Sequence, residues 1–203
     1  MVDDWAKTIL EIDLIDGLRH GVCVSNLTYL IAKKLGLSDE ECNNLAVAGM
    51  VHDIGKLRLS SYLYGRNSNG MIIEEIQYMR KHSGLGYEIL KKYSYNDAIC
   101  EAVLYHHENY DGSGYPDNLK AEKIPLGARI MRVADAFIAL ISERPYREAY
   151  DFDSAISIMI EDVKEYDMQV FLAFMGVIHE DGMLEKIRQD QMSIDYDMEE
   201  LNF

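Results

Sequence analysis

Proline is nearly absent from this chain. Its three prolines, Pro116, Pro125 and Pro145, all fall between positions 116 and 145 of 203 residues. Proline breaks helices because it lacks an amide hydrogen and clashes with the preceding turn. The first 115 residues contain no such breaker and are rich in Leu, Ile, Ala, Glu and Lys, which favour helix. No alternating apolar pattern of useful strand length occurs, nor any internal repeat or linker. The chain therefore reads as all-α and as one domain.

A first clear helix is predicted from about Asp16 to Leu35. Leu27, Leu30, Ile31 and Leu35 recur at three- to four-residue spacing, and Gly36 stands where a helix stops. Residues 1–15 read as a lead-in helix. Ser38-Asp39-Glu40-Glu41 has the form of a capping box. It opens a second helix through Leu45–Val51, apolar on every side and so central, which delivers His52-Asp53 at its end. Gly65–Gly70 is turn-prone. Further helices are predicted over 74–82, 84–93, 97–108 (capped by Ser94 or Asn96), 126–142, 153–164, 168–179 and 181–190. Residues 109–125 read as a structured loop. The last fifteen residues carry five acids and no base and read as an acidic tail.

Composition excludes several classes. With 35 acidic against 20 basic residues the net charge is −15, which disfavours DNA, RNA and anionic membrane surfaces. No apolar run reaches the length of about 18 residues that a membrane helix needs. The N-terminus lacks the basic and apolar regions of a secretory signal. Three cysteines, Cys23, Cys42 and Cys100, form no CxxC pair and suit a reducing cytoplasm as buried apolar side chains.

The histidines carry the chemistry. A buried helix that ends in His52-Asp53 places a carboxylate where desolvation is costly unless a cation receives it. Asp135 raises the same problem in the apolar run Val133-Ala134-Asp135-Ala136-Phe137. Adjacent helix residues diverge by about 100°. His52/Asp53 and His106/His107 therefore suit two neighbouring ions better than one.

His52-Asp53-Ile54-Gly55-Lys56 resembles the HD signature of metal-dependent phosphohydrolases. The stretch from His106 to Pro116 resembles the HHExxDGxGYP signature of HD-GYP domains. Ile124–Ile130, Val133-Ala134-Asp135 and Arg144-Pro145-Tyr146-Arg147 match later family motifs in order. The resemblance covers about residues 16–180, leaving 181–203 as a C-terminal helix and tail. It implies an HD-type helical bundle with a buried metal site that hydrolyses cyclic di-GMP, or a related cyclic dinucleotide, in the cytoplasm.

Matched residue by residue, it assigns metal ligation to His20, His52, Asp53, His82, His106, His107 and Asp135, with Asp53 as the bridge. Asp16 takes the place of a glutamate that holds a third metal in some members. Iron or manganese is the usual metal, and a metal-bridging hydroxide would attack phosphorus to give linear pGpG or GMP. Lys56, with a catalytic as well as a binding role, and Arg144 and Arg147 would hold phosphates. Tyr115 would stack on a base, and Glu108 would fix the loop. The GYP loop is linked in the family to diguanylate cyclase domains. Two departures stand out. Ile138 replaces the second aspartate of a DxFDAL motif, and the segment after Lys56 lacks the family's usual proline and KPG-like turn. The alternatives are a phosphohydrolase acting on another nucleotide and a non-catalytic module that binds a cyclic dinucleotide or a protein.

Overall fold

The computed structural model describes residues 4–63, 77–143 and 147–190, with side chains described within 15–59, 77–143 and 147–190. The turn-prone 65–70, the first three residues of the helix predicted over 74–82, Arg144 and the tail beyond 190 lie outside the described residues, whereas 77–79 are helical as expected. Among those described, the secondary structure is helical. The elements are α1 (Asp4–Lys34), α2 (Asp39–Val51), α3 (Lys56–Leu63), α4 (His82–Lys92), α5 (Asp97–Tyr105), α6 (Leu126–Ile141), α7 (Phe152–Glu161) and α8 (Met168–Ile178). Short 3₁₀ turns occupy Ala121–Lys123 and Val163–Glu165, and residues 183–190 are helical again.

Local chemistry sets most helix starts. Ser38 caps α2 with a reciprocal capping box to Glu41. Asn96, rather than Ser94, caps α5 by accepting from Ile99 N. Asp151 and Asp167 cap α7 and α8. Gly36, at φ +80°, follows the end of α1. The predicted helix 16–35 lies within a longer one that runs unbroken from position 4. The helix predicted over 97–108 ends earlier, at Tyr105, because Glu108 turns away to hold the following loop. The helix α3 was absent from the sequence reading.

A single apolar core joins the elements. Val24, Leu27 and Ile31 of α1 meet Leu45 and Ala48 of α2, Cys100 and Val103 of α5, and Ile130, Val133 and Phe137 of α6. Phe137 also packs edge-on against Phe174 of α8, with ring centroids 5.0 Å apart. The three cysteines are buried and unpaired, as expected. Among the described residues, no helix is long and apolar enough to cross a membrane. The polar residues inside this core are the informative ones. His52, His82 and His106 are at most 1% exposed and Asp135 is 8% exposed.

Candidate metal centre

Helix ends aim the histidines. The last carbonyls of a helix have no partner within it. His52 follows α2 and His106 follows α5, and their Nδ1 atoms each donate to a carbonyl three residues back, Gly49 O and Val103 O, at 2.7 Å. His82 does the same to Met79 O at 2.7 Å. A ring that donates from Nδ1 carries its lone pair on Nε2. All three Nε2 atoms therefore point inward, those of His82 and His106 as acceptors, the orienting arrangement that metal-binding imidazoles use.

The inward atoms form three overlapping groups: His20, His52 and Asp135; His52, Asp53 and His106; and His82, His106 and His107. Within each group the ligand atoms lie within 4.8 Å of one another. His20 Nε2 is 2.9 Å from Asp135 Oδ1, and His52 Nε2 is 3.6 Å from the same oxygen. Asp53 stands between the groups. Its Oδ2 is 3.4 Å from His52 Nε2 and its Oδ1 is 3.4 Å from His82 Nε2. On the far side, His82 Nε2 lies 3.2 Å from both His106 Nε2 and His107 Nε2.

The donor set fits a cation. His82 and His106 both donate from Nδ1, so their Nε2 lone pairs face each other at 3.2 Å, which is repulsive without an electrophile to share. His20 Nδ1, His52 Nε2 and Asp53 Oδ1 are buried and lack a hydrogen-bond partner among the described residues, a costly condition. Protonation follows the same logic. Burial holds the His107 ring down to about 3 and, with the neighbouring rings, His106 well below its ordinary value. Burial also lowers His82. These three rings are neutral at neutral pH and so could serve as metal ligands. For His52, burial alone would favour the neutral ring, but the Asp53 and Asp135 carboxylates outweigh it and lift the group to about 9. Burial raises Asp53 and Asp135 too, yet the surrounding cationic partners hold both well below the usual carboxylate range. Positive charge among the two carboxylates is what this cluster favours. Five imidazoles and two carboxylates suit borderline transition ions rather than calcium or magnesium.

Two close backbone contacts fix these side chains. A Cβ on Gly55 would stand 1.9 Å from His82 O, so only glycine lets the start of α3 abut α4. A Cβ on Gly114 would stand 2.5 Å from His107 O, so the GYP loop lies directly on the His106-His107 pair. Glu108, 1% exposed, accepts from Asp117 N at 2.7 Å and Leu119 N at 3.0 Å, which closes that loop.

The cluster opens onto a cleft of about 360 Å³. Its lining takes in His20, Asp53, His107 and Asp135, then Lys56 and Arg147, with Ala136, Ala139, Leu140 and Ile158 as apolar wall. Lys56 Nζ is 2.6 Å from Asp53 Oδ2. Arg147 faces the cleft, but its terminal nitrogens donate to Ala139 O at 2.8 Å and to Leu140 O and Glu148 O at 3.0 Å, closing the C-terminal end of α6. Its guanidinium also lies 4.5 Å from the centre of the Tyr150 ring. Tyr115 stacks on His107, centroids 4.8 Å apart, with Arg80 5.2 Å from its ring centre, and it is not part of the cleft lining. Asp16 is mostly exposed and pairs with Arg19 at 2.8 Å, outside the three groups. The sequence reading missed Asp162 and Tyr166 of the cleft and Arg80 beside Tyr115. None lies in a recognisable motif.

An all-helical bundle with a buried histidine and aspartate cluster at the foot of an open cleft defines a metal-binding helical domain. Residues 6–170 match the HD domain family model, and the chain belongs to that family. It is 42% identical over 137 residues to the cyclic di-GMP phosphodiesterase response regulator RpfG of Xanthomonas campestris pv. campestris, covering 66% of this chain and 36% of that protein. It is 34% identical over 161 residues to the cyclic di-GMP phosphodiesterase PA4108 of Pseudomonas aeruginosa, covering 78% and 38%. Its fold matches a crystal structure of a cyclic GMP-AMP phosphodiesterase (V-cGAP3) of V. cholerae with a TM-score of 0.69 at 16% identity, covering 91% of this chain and 52% of that one. The aligned part of this chain spans less than two fifths of the length of these two relatives.

Proposed function

We propose that this chain is a metal-dependent phosphodiesterase that opens cyclic di-GMP to linear pGpG, GMP or both. The observation that carries this reading is the Asp53 carboxylate, one oxygen turned to His52 and the other to His82. A carboxylate so shared suits two ions side by side. His20, His52, Asp53 and Asp135 would hold one; Asp53, His82, His106 and His107 would hold the other. Iron or manganese is the pair of metals we favour for this imidazole-rich set. When bound, two such ions supply Lewis acidity toward a phosphoryl oxygen and a water of lowered pKa. The relatives named as cyclic di-GMP phosphodiesterases supply the substrate class.

The chain's own residues do the positioning. Lys56, partly exposed at the cleft and 2.6 Å from Asp53, can turn its ammonium to an incoming phosphodiester without leaving the site. Arg147 adds positive charge to the opposite wall, although its terminal donors already hold carbonyls. Arg144, three residues earlier, would contact the second phosphate. Asp16, engaged by Arg19, is the less favoured route to a third ion. We assign the exposed rim of the GYP loop, Ser113, Pro116, Asp117 and Asn118, to contact with diguanylate cyclase domains, and the chain to the cytoplasm.

The test is anaerobic purification with iron or manganese, elemental analysis, and incubation with cyclic di-GMP. Two ions per chain and metal-dependent pGpG or GMP are expected. Activity should fall at least about a thousandfold in His52→Ala and Asp53→Ala. A fully metallated protein that leaves cyclic di-GMP intact would overturn the reading in favour of another nucleotide or a binding module.

A further inference from the structure

Among the described residues, one acidic residue outside the metal-binding groups lines the cleft. Asp162 lines the cleft together with Ala136, Ala139 and Ile158. Among the described residues no hydrogen bond or ion pair engages its carboxylate, whereas Asp53 and Asp135 are met by Lys56 and histidines. Its backbone is held in place. Asp162 N donates to Ile158 O at 3.2 Å, and Asp162 O accepts from Glu165 N at 2.8 Å. Glu165 is in turn tied by its carbonyl to Tyr110 N and by its carboxylate to Arg132, both at 2.8 Å. The carboxylate of this exposed residue therefore stands on a fixed turn.

A carboxylate beside a ligand bearing two phosphates is repulsive unless it accepts hydrogen bonds from that ligand. We infer that Asp162 reads the guanine edge of the bound nucleotide and so sets guanine over adenine preference. Guanine presents two adjacent donors, N1–H and the N2 amino group, which match the two oxygens of one carboxylate. Adenine presents one donor beside the N1 lone pair, which a carboxylate repels. The surroundings suit a base. Ile158, one turn before Asp162, adds apolar surface to the cleft along with the small side chains of Ala136 and Ala139. The inference rests on the proposed nucleotide reading, and it concerns recognition, not bond cleavage.

Affinities for GMP and AMP, which need no turnover, measure it on the metal-loaded protein by calorimetry, alongside kcat and KM for cyclic di-GMP and cyclic di-AMP. The native protein should bind GMP about tenfold more tightly than AMP. Asp162→Ala should bring the two affinities within about twofold. Asp162→Asn, which no longer offers two acceptors to the two guanine donors, should narrow the difference as well. Metal content should be unchanged in both variants, since Asp162 lies outside the metal-binding groups. For the diesters the change should fall on KM rather than kcat. Equal affinity of the native protein for GMP and AMP, no binding of either, or an unchanged ratio in both variants would overturn the inference. Discrimination lost in the variants, with no turnover of any diester by the native protein, would sustain it while removing the proposed phosphodiesterase activity.

Discussion

At the residue scale the centre depends on acceptors that do not touch it. Glu108 is the clearest case. Its two oxygens each take one backbone amide of the GYP loop, Asp117 N and Leu119 N. Glu108→Gln keeps the shape but turns an amino group toward an amide hydrogen. A buried donor left unmet costs about 1–3 kcal/mol. Thermal melts of the metal-loaded variant should show that loss, with faster amide exchange in residues 109–125 and metal content near that of the native protein. An unchanged melt would remove Glu108 from this role. The identities of the cluster were legible in the sequence, because His52-Asp53 and His106-His107-Glu108 stand in a recognisable order. What each side chain does with its remaining atoms was not. Arg147 reads as a phosphate grip, yet it spends its donors on the carbonyls of Ala139, Leu140 and Glu148. Tyr115 reads as a base platform, yet its ring lies on His107. Such choices depend on where a helix happens to end, which spacing alone does not give.

At the element scale the site depends on how closely helices meet. Most helices were legible from apolar spacing and caps, because burial of one stripe and satisfaction of one end are both local signals. The helix α3 was not. Lys56-Leu57-Arg58-Leu59 has little helical period, and Leu57 stays exposed while Leu59 is buried. Its place is set by Gly55, through contact with a segment nearly thirty residues away. Gly55→Ala tests this. The added Cβ would meet His82 O at 1.9 Å and Gly86 N at 2.7 Å, both backbone atoms that cannot rotate aside. Separation of α3 from α4 should cost about 3 kcal/mol or more and carry His82 away from Asp53. The melting temperature and the bound metal should fall together. Normal metal stoichiometry with full stability would show that the two helices can part without disturbing the cluster.

At the scale of the whole molecule, the buried charges tie stability to pH. An imidazole that titrates near 6.5 in the unfolded chain but near 3 when folded, as His107 does, binds its proton first in the unfolded state. Over that window the unfolded chain holds more protons, so stability falls as pH falls. His82 and His106, also lowered, add in the same direction, as do Asp53 and Asp135 at still lower pH. His52 has the opposite sign. Its folded value is raised to about 9, so its contribution is complete below 6.5 and is lost as pH rises toward 9. Denaturant titrations of chelator-treated protein from pH 4 to 10 should therefore trace a dome, with the acid limb the steeper because more groups act there. Metal should change the shape as well as the height. An ion that binds only the folded state adds stability in proportion to its occupancy, and it displaces the His52 proton, so the alkaline limb should flatten after reloading. The acid limb should remain, because protons compete with metal for the same nitrogens. A loaded protein whose alkaline limb matched that of the chelated one would mean that His52 keeps its proton and is not a ligand.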